Sequence, residues 1–279
     1  MLNNPLYNRF NWIAAFRACR VFSDPLPVFI GLLRQSAPTT VRVRTPIGQI
    51  TLKLRNFESL RTLFSIFCRH DYLVSDKISS LFLDIGANIG LASAYFLTRN
   101  ANNIVHCFEP DLANLAYLRE NLAAFRGRAI IGDHAVDVSS GAAVLHRSPD
   151  GKHSSLHHTD RALIPQQTVT RVFADILAEI ALVGLPTIIK LDVEGIEGDL
   201  VKSVKFEDYP FIQRIIIEGI SYAQLIGESR GGIAPPRARR TGREALASSG
   251  SHCPAVPLKK APMGEQAWLS SRDAVEPLP

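Results

Sequence analysis

The sequence predicts an α/β fold: a sheet of mostly parallel strands with helices on both faces. Three observations lead there. Short apolar runs alternate with helix-length amphipathic stretches between residues 81 and 220. The first run ends in a glycine-punctuated turn, Asp84-Ile85-Gly86-Ala87-Asn88-Ile89-Gly90. The second ends in an acidic residue, Glu109, followed by Pro110. In sheets of this kind ligands bind beyond the carboxyl ends of the strands, where both features fall.

The elements follow in chain order. Residues 1–80 form an entry region. Its start is amphipathic, with Trp12, Ile13, Phe16 and Val21 among Asn3, Asn4, Arg9, Arg17 and Arg20. This predicts a helix packed on the domain or lying on a membrane surface. Thr40–Thr45 and Gln49–Leu54 alternate apolar and polar residues around Pro46-Ile47-Gly48, a β-hairpin pattern. Asn56 then caps a helix running to about His70, with Leu60, Leu63, Phe64 and Phe67 on one face. Residues 81–226 form the sheet domain. Strands are expected at Leu81–Asp84, Ile104–Phe108, Ala129–Ile131, Thr187–Asp192 and Arg214–Glu218. Helices are expected at Ile89–Leu97, Asp111–Phe125, Val172–Ile180 and Glu197–Val204, and a hairpin insertion at Val138–Leu145. Residues 227–279 form a third region, and from Glu228 the chain holds 7 of the 17 prolines, with no strand-like run. This tail is expected to be disordered, either as a segment foreign to the fold or as a natural extension.

Composition narrows the functional classes. No apolar run reaches the ~18 residues that span a bilayer, and the N-terminus has no secretory signal pattern. Cys19, Cys68, Cys107 and Cys253 form no CxxC pair, so free thiols in a reducing cytoplasm are expected. The formal charge is +5, but the segment from Glu228 holds 8 Lys/Arg against 5 Asp/Glu, which leaves +2 for residues 1–227. Nucleic-acid binding has little support from charge, and a clear basic, aromatic stripe is missing.

The turn after the first strand carries the chemistry. A dinucleotide site would use GxGxxG, whose second glycine lets a pyrophosphate reach the backbone. Here Asn88 occupies that place, and Asp84 adds negative charge. A phosphate-free aminoacyl-nucleoside suits the loop better, its ammonium pairing with Asp84 directly or through water. Gly86 permits the tight turn and a close backbone approach by a ligand, and the helix entered at Ile89 offers N–H groups. Glu109 lies 23 positions beyond Gly86, a spacing at which an acid accepts hydrogen bonds from both ribose hydroxyls.

The DIGANIG turn, the Phe108-Glu109-Pro110-Asp111 segment and Lys190-Leu191-Asp192-Val193-Glu194-Gly195 occur in one order. Together, over roughly residues 40–220, they resemble the FkbM methyltransferases, a branch of the Rossmann-like S-adenosylmethionine enzymes. The resemblance implies that S-adenosyl-L-methionine is the cofactor and that Asp84, Gly86, Asn88, Gly90 and Glu109 line its pocket. It implies that Ala135-Val136 touches adenine, with Asp133 either bonding the adenine amino group or serving the turn. It also implies a small-polar loop, Gly151–Leu156, whose Ser154 or Ser155 bonds the methionyl carboxylate. Asp192 and Glu194 become the acceptor-side pair: Asp192 is either a base or an orienting group, and Glu194 either faces the acceptor or caps the next helix. No metal is expected, and His153, His157 and His158 read as solvent-exposed.

The activity implied is O-methylation of a hydroxyl on a sugar, glycan or natural product. Two other readings compete: an inactive or truncated remnant acting as a binding module, which the tail would explain, and a dinucleotide-dependent enzyme, which Asn88 disfavours.

Overall fold

In the computed structural model, residues 9–69, 72, 74, 76–147, 154–155, 164–193 and 195–217 are described. They lie in the first of the chain's two compact units, Met1–Gly242.

Five strands form a fully parallel sheet: β3 (Leu81–Ile85), β4 (Ile104–Phe108), β5 (Ala129–Gly132), β10 (Thr187–Leu191) and β11 (Ile212–Ile217). Their spatial order is β11-β10-β3-β4-β5, so β3 lies at the centre and neighbours β10 and β4. Among the described residues β11 is an edge; Glu218 and the expected tail lie outside them.

Strand periodicity sorts the core onto the two faces. Leu81, Leu83 and Ile85 belong to one buried cluster with Ile189 and Leu191. That cluster includes Phe173, Ile176 and Leu177 of helix α6 (Phe173–Ala181) and Leu200 of α7 (Glu197–Lys202). Phe82 and Ile188 belong to the other cluster, with α4 (Leu91–Leu97) and Leu115 and Leu118 of α5 (Leu112–Asn121). Phe82 stacks on Phe96 there at 4.7 Å between ring centroids. Side chains two apart share a face. Asp84 and Lys190 therefore fall on the Phe82/Ile188 face, and the β3–β10 register pairs them directly.

The entry region packs on that same face. Helix α1 (Arg9–Val21) buries Ala14 and Ala18, and α3 (Phe57–Phe64) buries Leu60 and Leu63. Asn56 caps α3 as expected, its side chain accepting from Ser59 N at 3.0 Å. The helix widens into a π turn over Ser65–Arg69 rather than running on regularly. The hairpin forms between β1 (Thr40–Thr45) and β2 (Gly48–Lys53). Asn121 of α5 fixes it: its side chain accepts from Lys53 N at 2.7 Å and donates to Lys53 O and Ile89 O.

Three differences from the sequence reading stand out. A second entry helix, α2 (Leu26–Arg34), starts at Pro25, which reads locally as a break. The hairpin expected over Val138–Leu145 does not form. Instead β6 (Ala135–Asp137) and β7 (Gly141–Arg147) both pair with β9 (Ile164–Val172), in the order β6-β9-β7-β8, where β8 is Ser154–Ser155. The long strand β9 is half exposed and carries Pro165, so its sequence lacks the usual strand signature.

Candidate active site

The site forms where β3, β4 and β10 end side by side. Beyond β3 the chain turns through Gly86 and Asn88, both in the left-handed region at φ 78° and 52°. The neighbour that demands a glycine at 86 is protein. A Cβ there would lie 1.8 Å from the Asp192 carbonyl oxygen, so β10 closes on the turn from behind. Gly90, also left-handed, starts α4; a Cβ there would meet Leu118 Cδ1 at 2.5 Å, so this glycine lets α4 approach α5.

The amides of the turn are all used within the chain. Gly86 N and Ala87 N donate to Phe108 O, and Gly90 N donates to Ala87 O. Asn88 N donates to Glu109 Oε2 at 2.7 Å, and Ile89 N donates to the Asn88 side chain at 2.8 Å. The sequence reading expected the helix start to offer amides to a ligand. Through Gly90 those groups are internally satisfied, because the turn is laced to the end of β4.

Glu109 completes that lacing. It is buried, with one oxygen accepting from Asn88 N and the other from Asp111 N at 2.9 Å. Burial pushes its carboxyl up to about 7, against the pull of these two backbone donors. Each oxygen keeps acceptor capacity beyond one hydrogen bond. Asp111 caps α5 and accepts from Arg147 of β7 at 3.3 Å, while Gln166 of β9 donates to Pro110 O at 2.6 Å. The second sheet thus grips the Glu109–Asp111 corner.

Behind the turn lies an ionic cluster. Lys190, almost fully buried in β10, sits 3.2 Å from both Asp84 Oδ1 and Asp192 Oδ2, and donates to Gly86 O at 2.9 Å. Asp84 is 0% exposed and also accepts from Ser93 Oγ of α4 at 2.7 Å. Asp84 was expected to pair with a ligand ammonium. The ammonium beside it is the chain's own Lys190, supplied because a carboxylate inside the sheet needs an internal partner. Lys190 was not singled out from sequence. Its signal was an ionisable residue inside the apolar run Ile188–Leu191. Asp192, with its side chain 29% exposed, is the member of the cluster that reaches solvent.

Residues 84–226, just over half of the chain, match the family described as the methyltransferase FkbM domain. The chain belongs to the FkbM methyltransferase family. It is 25% identical over 201 residues to the 31-O-demethyl-FK506 methyltransferase FkbM of Streptomyces tacrolimicus, covering 60% of this chain and 76% of that protein. Among solved structures, methyltransferase FkbM from Methylobacillus flagellatus KT is similar at 18% identity and a TM-score of 0.32. That match spans 64% of this chain and less than half, 44%, of the other.

The remaining FkbM-derived expectations fall as follows. Asp133 is exposed, 3.1 Å from His134 Nδ1 and 3.9 Å from Arg119. Ala135 and Val136 are buried, and Val136 belongs to the cluster that holds Phe108 and Phe173, which gives it a core role. Ser154 lies in β8, which pairs with the end of β7. Glu194 lies outside the described residues, as do His153, His157 and His158. Glu197, the first residue of α7, accepts from Val193 N and Gly195 N at 3.0 Å and so ties the preceding loop to the helix start, while the N-cap position Ile196 makes no side-chain cap bond.

Nothing in this turn suits a pyrophosphate: five successive amides are occupied and a carboxylate stands at its crest. A neutral ribose fits, because hydroxyl donors can use the remaining lone pairs of Glu109.

Proposed function

We propose that this FkbM-family chain is an S-adenosyl-L-methionine-dependent O-methyltransferase acting on a hydroxyl of a sugar, glycan or natural product. The observation that carries the reading is the turn at 86–90, closed to phosphates by its own hydrogen bonds and crowned by Glu109. The name of the Streptomyces relative points the same way, since it denotes methylation of an oxygen on a natural product.

When bound, the cofactor supplies a methyl group already activated by a sulfonium. The protein's task is therefore alignment and proton removal. Glu109 accepts from the ribose hydroxyls. Gly86, Asn88 and Gly90 set the path of the turn beneath the nucleoside. Asp133, just past β5, and Ala135, the first residue of β6, border the adenine side. Ser154, in the second sheet, serves the methionyl end. Asp192 is the partly exposed carboxylate just past β10 and takes the proton of the acceptor hydroxyl, with Glu194, two positions on in sequence, as the second acceptor-side carboxylate. Lys190 holds Asp192 in place while Asp84 balances its charge from behind.

The test is transfer of a tritiated methyl from S-adenosylmethionine to a panel of hydroxylated sugars, glycans and macrolides. The reading predicts base-stable incorporation on oxygen, reduced about 100-fold or more in D192N by loss of general-base catalysis. Label appearing on nitrogen, or equal incorporation by D192N, would contradict it.

A further inference from the structure

The entry region carries a feature that the methyl-transfer reading leaves unused. Helices α1 and α2 contain no Asp or Glu. Each buries a stripe of small or branched residues: Ala14 and Ala18 in α1, Val28 and Gly31 in α2. Each also exposes a second stripe at helical spacing. In α1 this is Ile13, Phe16 and Arg20; in α2 it is Leu26, Ile30, Leu33 and Arg34. Positions i, i+3 or i+4, and i+7 share one helix face. The exposure is large: Phe16 is 61%, Leu26 64% and Leu33 85% accessible.

The charge around these stripes is predominantly positive. Residues 1–57 hold eight Lys/Arg and a single acid, Asp24, between the helices. Some of the cations serve the fold: Arg44 donates to Phe22 O and Ser23 O, and Arg17 to Cys68 O. Arg20 and Arg34 stand exposed beside the apolar stripes, and Arg42 is exposed on β1. Arg20 lies over the Phe16 ring at 4.7 Å, its stem along apolar surface and its charge outward.

We propose that α1 and α2 form a docking surface for an anionic lipid bilayer. Exposed Leu, Ile and Phe next to Arg, without a neighbouring acid on either helix, are what a membrane interface recognises: apolar burial at acyl depth and cations at the headgroups. A protein partner of matching apolar shape would not require this excess of positive charge.

The test is flotation of the full chain with vesicles of phosphatidylcholine alone or containing about 30% phosphatidylglycerol. The chain is expected to float with the phosphatidylglycerol vesicles and to be released as salt rises from about 0.1 to about 0.5 M. F16D/L33D should abolish flotation. R20S/R34S should weaken partitioning about 30-fold, near five-fold for each charge. All four side chains are exposed, so circular dichroism of both variants should match the wild type. Three results would overturn the proposal: no flotation, equal flotation with neutral vesicles, or a lipid-free dimer that F16D/L33D dissolves.

Discussion

Glu109 is pulled two ways. Burial favours its neutral form, while Asn88 N and Asp111 N favour the anion, and burial prevails with a pKa of about 7. Between the ordinary value of 4.5 and about 7 the folded chain then holds a proton that the unfolded chain has released. The contribution to stability is full below 4.5 and falls as pH rises through that window. Urea midpoints of wild type and E109Q, measured from pH 4 to 8, should show the wild type losing ground relative to the variant; parallel curves would refute this. Lys190 makes a second prediction at the same scale. It balances Asp84 inside the sheet, so K190M leaves a buried carboxylate with the Ser93 hydrogen bond but no counter-ion and should cost about 3–5 kcal/mol in denaturant unfolding. D84N/K190M, which removes both charges, should recover most of that loss. Failure to recover would mean that packing of the lysine stem, rather than charge, holds the strand ends.

At the scale of elements, the turn is held by what surrounds it. The end of β4 anchors its amides, β10 presses on Gly86, and α5 fixes the Ile89 carbonyl through Asn121. Asn121 also grips both backbone groups of Lys53, joining the entry hairpin to the 86–90 turn. N121A removes three hydrogen bonds and should cost about 2–3 kcal/mol. Amide exchange should then quicken in β2 and in the 86–90 turn together. Faster exchange in β2 alone would show that the two elements are not coupled through this residue. Elements were legible in the sequence where local signals agree with tertiary use. The caps Asn56 and Asp111, the Gly48 turn and the β3–β4 pair are of this kind. They were illegible where packing overrides local preference. Pro25 and Pro27 stand at the start of a helix, and Pro165 lies in a half-exposed strand whose two partners, β6 and β7, both precede it in the chain.

Over the whole molecule, the three strand ends meet where the motif order implied, but side-chain direction was not readable from that order. Alternation along β3 and β10 turns Asp84 and Lys190 into the Phe82/Ile188 layer, so one residue expected at the ligand faces the interior. Glu109 lies beyond the last ladder pair of β4 and escapes that constraint. The placement of Asp192 follows from the same logic, one residue past β10. The site proposed at Glu109 and the 86–90 turn is one for a phosphate-free adenosyl ligand. Isothermal titration of the full chain with S-adenosylhomocysteine and with NAD tests it most directly. Binding of S-adenosylhomocysteine should strengthen about ten-fold from pH 6 to 8 as Glu109 ionises, should fall at least about ten-fold in E109A, and should have no counterpart with NAD. Binding of NAD, or equal affinity of wild type and E109A for S-adenosylhomocysteine, would contradict it.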